Sequence, residues 1–233
     1  MHRSGIVTFY VGPDKVQIAV HRKILFEKVQ VFRNMFTGGR QETASGTADL
    51  PKDDPVTFQR FVNFLYYGKI GALNPKKSTK TDGHNWDYMR LYAFAHKYSF
   101  DSLMDYALSR LFLYHETADS DMDFWIPEVE AMLFVSLNTS AECALQRYMN
   151  KCFLRRLYWH QTYSDDDLRR LSKECPETFF YIGTYIRDKT SLDNLPEDED
   201  EEALCANYHV HGKEIECPVP KPENDYLIVQ KDG

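Results

Sequence analysis

Two thiols and two imidazoles crowd one short segment near the C-terminal end of the 233-residue chain: Cys205, His209, His211 and Cys217. Cysteine thiolate and neutral imidazole are the ligands of closed tetrahedral zinc sites. If the segment is a strand, residues two apart face the same way, so His209 and His211 can share one ion. A metal would also explain how a tail behind a flexible linker holds a fixed shape, because metal binding supplies folding energy. The spacing lacks a CxxC knuckle and the loop is very short. The alternative is therefore a tail docked on helices with ordinary thiols, and zinc is the one cofactor that the residue types suggest.

The other candidates for chemistry have ordinary explanations. Asp119, Asp121, Asp123 and Glu130 imitate a calcium loop, but position six, which wants glycine for a sharp turn, is Phe124, and Pro127 stiffens the middle. These acids read better as a solvated loop opening a helix, where negative charge is favourable. His21 has no obvious nucleophile or carboxylate near it in sequence, and it is expected to pack in the core and hydrogen-bond a backbone group. Cys175, directly before Pro176, has no local feature that lowers a thiol pKa and reads as an inert helix-boundary residue. With no Gly-rich phosphate loop, GxSxG or HExxH present, no catalytic residue is expected.

Composition narrows the partners. The formal net charge is −7, from 28 Lys and Arg against 35 Asp and Glu. The longest basic cluster is Lys76-Lys77 with Lys80 nearby, so nucleic acid, which demands clustered cations, is not an expected partner. No stretch approaches the roughly 20 apolar residues that span a bilayer, and nothing near Met1 resembles a signal peptide. Five widely spread cysteines suit reduced thiols in the cytoplasm or nucleus.

The elements that would position these residues follow from periodicity. Residues 6–11 are a short apolar run with Thr8 inside it, Gly12-Pro13-Asp14 is a turn, and Val16, Ile18 and Val20 alternate with Gln17 and Ala19, so the stretch reads as a β-hairpin with one face buried. Ile24, Leu25, Phe32, Met35 and Phe36 recur at helical spacing in two short helices broken near 28–31 and ended by Gly38-Gly39. Residues 47–50 read as a third strand. Asp54 caps a helix with Pro55 at its first position, an apolar stripe of Phe58, Phe61, Val62, Leu65 and Tyr66, and Gly68 as its stop. A polar loop over 69–84 precedes helices at 86–98 and from Asp101. Beyond Thr117 the pattern is helical: 127–137, 139–157 with Thr139 and Glu142 at capping-box spacing, 164–173 and 176–187. An acidic linker follows, and then the Cys- and His-containing tail.

The first part of the chain resembles a BTB/POZ domain. The resemblance rests on Val20-His21-Arg22-Lys23-Ile24-Leu25, Phe32 through Met35-Phe36, Leu50-Pro51-Lys52-Asp53-Asp54-Pro55, Phe64-Leu65-Tyr66-Tyr67-Gly68 and Leu91-Tyr92-Ala93-Phe94-Ala95-His96-Lys97-Tyr98. The wording is most similar to fungal BTB-domain proteins, some of which also end in Cys-x-x-Tyr-His-x-His segments. The resemblance implies an α+β fold: a small, mostly antiparallel sheet packed on helices over residues 1–116, then an all-helical region over 117–190. The linker is placed at 191–202 and the tail at 203–233. It implies partner binding instead of catalysis: an adaptor, in some relatives the substrate-recruiting part of a cullin-type ubiquitin ligase. Such cullin-binding domains carry a hydrophobic-x-Glu triplet where this chain has Arg40-Gln41-Glu42; the Glu matches and Arg40 replaces the apolar anchor. Only Met1 to Gly5 precedes the first strand, so a dimer that exchanges an N-terminal strand and helix is not expected if Met1 is the start. Arg40 and Glu42, with Phe64 and Tyr67 off the main stripe of their helix, are the candidate partner contacts. The alternatives are a self-associating structural module, and an enzyme resting only on His and Cys content.

Overall fold

The computed structural model describes residues 5–39, 41–70, 84–117, 127–159, 163–188 and 201–211. Strand β1 (Ile6–Val11) turns through Gly12, held at φ +77° where a side chain would press on Pro55, into β2 (Val16–His21). β1 pairs antiparallel with β2, and parallel with β3 (Thr47–Leu50), giving the order β2-β1-β3. The sheet is therefore mixed, with the antiparallel ladder the longer of the two. Alternation buries Val7, Phe9 and Val11 of β1 and Ile18 and Val20 of β2. Val16, expected on that buried face, is the first residue of β2, beside the hairpin turn, and is exposed.

Between β2 and β3 lie α1 (Arg22–Lys28), α2 (Gln30–Thr37) and the single turn α3 (Gln41–Ser45). Val29 breaks α1 from α2 in extended backbone at φ −128°. Helix α4 (Pro55–Tyr67) forms as its punctuation dictates. The Asp54 carboxylate accepts from the Thr57 amide and hydroxyl, both at 2.7 Å, and Gly68 ends the helix in the left-handed conformation. Its buried stripe of Phe58, Phe61 and Leu65 meets Phe9 and Phe32 from β1 and α2, with Phe94 and Phe100 behind them; ring centroids lie 4.9–6.4 Å apart. Each such ring buried contributes about 1.5–3 kcal/mol.

Helices α5 (His84–Lys97) and α6 (Asp101–Thr117) form a hairpin against α4. Two polar clamps fix the hairpin. Arg60 of α4 meets Asp87 of α5 with two parallel bonds of 2.6 and 2.8 Å. Asp53, in the β3–α4 turn, accepts from Lys97 on both oxygens and from the Tyr98 hydroxyl on Oδ2, all at 2.8 Å. Burial, then the hydrogen bond to Asp53 and its charge, raise the Tyr98 phenol pKa.

The remaining helices close over the far side of the hairpin. They are α7 (Val129–Asn138), α8 (Ala144–Trp159), α9 (Asp165–Glu174), α10 (Pro176–Asp188) and α11 (Glu201–Tyr208). Trp86 of α5 meets Phe134 of α7, and His115 of α6 bonds the Tyr148 hydroxyl of α8 at 2.8 Å. One buried cluster runs from Val7 through to Tyr208. Thr139 and Glu142 do not form a capping box. Thr139 donates back to the Val135 carbonyl at the end of α7, and α8 starts later, with the Cys143 sulfur accepting from the Gln146 amide. The box that does form is Ser164 with Asp167, at the start of α9. Pro176 separates α9 from α10 as expected, because a mid-helix proline costs about 3 kcal/mol. No helix among the described residues is long and apolar enough to cross a membrane. The polar loop and calcium-like loop fall largely outside the described residues. Glu130, the last of the calcium-like acids, instead bonds Arg170 of α9.

Candidate functional site

Three of the four expected metal ligands converge. The Cys205 sulfur, His209 Nδ1 and His211 Nε2 all lie within 4.8 Å of one another, with 3.3 Å between the two imidazole nitrogens and 3.3 Å between sulfur and His211. Cys217 lies outside the described residues. The reason for the convergence is not the expected strand. Cys205 sits on α11, and His209 and His211 lie in the irregular chain just past its end, so a helical turn and the bend after it bring the three together.

Helices α6 and α8 hold this segment in place. Ser109 of α6 meets His209 Nε2 at 2.7 Å, and the Asp105 carboxylate, one turn earlier, accepts from the Val210 amide at 2.7 Å. Arg147 of α8 donates to the Asn207 carbonyl, and the buried Tyr208 ring stands edge-on to Tyr148. Burial, and then the neighbouring His211, lower the His209 pKa to about 4, so near neutral pH its ring is uncharged and carries a lone pair. Burial raises the Asp105 carboxyl, and its Oδ2 has no hydrogen-bond partner among the described residues. Sequence reasoning missed Asp105 and Ser109. The signal was there: both are polar, four residues apart, inside a run from Leu103 to Leu113 that is otherwise apolar except for Arg110.

The candidate partner contacts separate on inspection. Tyr67, at the last position of α4, is 74% exposed. Phe64 is half-buried, its ring against Phe100 and Tyr106, so it supports the surface more than it forms it. Glu42 is half-buried in the first turn of α3, and Arg40 lies outside the described residues. His21 does not pack in the core. It is exposed at the end of β2, where the Tyr66 oxygen accepts its backbone N–H at 2.9 Å and lies 2.6 Å from its Nδ1. Lys28 donates to the Leu65 carbonyl at the open end of α4. His21, Tyr66 and Tyr67 thus form one aromatic face on a braced helix end. Cys175 is buried, its thiol pKa raised by that burial, in keeping with an inert boundary residue.

No curated protein matches the chain. Residues 7–111 match the family model of the BTB/POZ domain, which spans the sheet, α1 to α5 and most of α6. The chain therefore contains a BTB/POZ domain, a protein-interaction module of a typically non-catalytic kind, followed by a helical region.

Proposed function

We propose that the chain is a non-catalytic adaptor whose BTB/POZ domain grips a partner protein through the C-terminal end of α4. The observation that carries this reading is Tyr67, a large aromatic left 74% exposed on a helix end that Lys28 and the His21–Tyr66 contact hold in place. Aromatic residues on rigid supports are the residues that most often dominate protein interfaces. A substrate-recruiting place in a cullin-type ubiquitin ligase is the finer form of the proposal. Glu42 supports it. Arg40 bears against the usual contact, because a buried apolar anchor there would be worth a few kcal/mol.

Self-association is the second reading, favoured by a sheet whose two outer strands, β2 and β3, each pair only with β1 among the described residues. Affinity purification of the full chain from cells that express it, beside a Tyr67→Ala variant, tests the adaptor reading. A protein recovered with the wild type and lost with the variant supports it. Sedimentation separates the second reading: a stable homo-oligomer that recovers no other protein replaces the adaptor with a self-assembling module.

A further inference from the structure

We propose that Cys205, His209 and His211 bind one Zn2+ ion, and that the ion fastens the C-terminal segment across α6, the last helix of the BTB/POZ domain. The proposal stands apart from the adaptor reading. It rests on the donor set, the spacing, the second contact of His209 and the way the segment is docked.

One thiolate and two imidazoles suit Zn2+, which takes sulfur at about 2.3 Å and nitrogen at about 2.0–2.1 Å in a tetrahedron. Two nitrogens sharing such an ion stand about 3.3 Å apart, and a sulfur and a nitrogen about 3.5 Å. His209 Nδ1 and His211 Nε2 are 3.3 Å apart, and Cys205 Sγ is 3.3 Å from His211 Nε2. These two separations are those of ligands facing a common centre, and the third pair lies within 4.8 Å. Metal-binding histidines characteristically use the other ring nitrogen to hold a neighbouring polar group, which fixes the tautomer and aims the lone pair. His209 is placed to do this: its Nε2 lies 2.7 Å from the Ser109 hydroxyl, and in the tautomer with Nε2 protonated, Nδ1 presents its lone pair to the cluster.

The surroundings point the same way. Asp105 binds the amide of Val210, the residue between the two histidines, and is 1% exposed with Oδ2 unpartnered among the described residues. Finally, α11 has eight residues, too few to be a stable helix in water on its own. Its anchors include the Ser109 and Asp105 contacts on α6, the Arg147 contact on α8 and the buried Tyr208. An ion held by these three residues ties the end of α11 to the chain just past it, fixing the shape in which His209 and Val210 meet Ser109 and Asp105 of α6, and so supplies folding energy that so short a segment lacks.

The test uses the full chain. Apo-protein, prepared with a chelator, is titrated with Zn2+ in competition with a chromophoric chelator, and then with Co2+ to read its absorption. Binding of one Zn2+ per chain at sub-micromolar concentration, with a cobalt spectrum of tetrahedral thiolate coordination, is expected. A Cys205→Ser, His211→Ala double variant should lose at least tenfold in affinity. Ser109→Ala should keep the stoichiometry and lose roughly 10- to 100-fold, the usual cost of removing such an outer contact. In the wild type, Zn2+ should protect Cys205 from iodoacetamide, and chelation should speed amide exchange over 201–211 while leaving β1 and α4 unchanged. The alkylation and cobalt readouts need no variant, so they decide even if the double variant fails to fold. No binding up to micromolar Zn2+, undiminished affinity in a folded double variant, or equal alkylation of Cys205 with and without Zn2+ overturns the site. Unchanged exchange over 201–211 on chelation overturns the fastening.

Discussion

Replacing Asp53 by alanine removes the carboxylate that ties the β3–α4 turn to the end of α5. The cost follows from its two partners. Tyr98 is buried, so its hydroxyl is left without its acceptor, at about 1–3 kcal/mol. The Lys97 side chain is 49% exposed, regains water readily, and adds only about 0–1 kcal/mol. The sum is about 1–4 kcal/mol. Asp53→Asn keeps an oxygen that the Tyr98 hydroxyl can reach and loses only the charge opposite Lys97, so it should cost about 1 kcal/mol. Urea unfolding of both variants reads these values. For a chain of this size, each kcal/mol lowers the melting temperature by about 2–4 °C, so alanine should lower it by roughly 2–16 °C. The reasoning assigns most of the cost to the orphaned phenol. Equal losses in the two variants, or a loss below about 0.5 kcal/mol with alanine, would refute that assignment.

Other consequences are local. His115 is buried, and its pKa is held well below the ordinary imidazole value of 6.5. The unfolded chain takes up a proton near pH 6.5 while the folded chain does not. The stability contributed is therefore complete above that pH and is lost as pH falls below it, by about 1.4 kcal/mol per pH unit until the folded form titrates. Urea midpoints at pH 7.5, 6.5 and 5.5 check this, and the slope should flatten in His115→Gln. Gly68→Ala forces a side chain into the left-handed region with open space around it, so a loss of about 1 kcal/mol from backbone strain alone is expected in the same urea assay. Phe32→Ala, at the centre of the ring cluster, should cost about 3–5 kcal/mol, and by the same measurement a loss under 1 kcal/mol would contradict the packing described.

What the sequence made legible was local. The hairpin follows from period-2 alternation around Gly12, and α4 from Asp54, Pro55 and Gly68, all signals read within a few residues. What it hid depends on distant partners. His21 looked like a core residue because nothing near it in sequence shows that Tyr66, 45 residues on, holds it at the surface. Thr139 carried a cap's spacing, but its hydroxyl turned back to Val135, and Cys143, a poor cap on propensity grounds, took the start of α8. At the tail the residue types were right and the geometry was not. Cys205, His209 and His211 converge through a helix end, and their supports, Ser109 and Asp105, lie about a hundred residues earlier.

The central claim is that this BTB/POZ domain binds a protein through the Tyr67 face. Its most direct test is quantitative affinity purification of the wild-type chain and of Tyr67→Ala, from cells that express the protein, with melting temperature as the control for folding. The account predicts at least one protein recovered by the wild type and depleted tenfold or more with Tyr67→Ala, at unchanged melting temperature. Identical recovery by the two chains, or no protein above background with either, would contradict it.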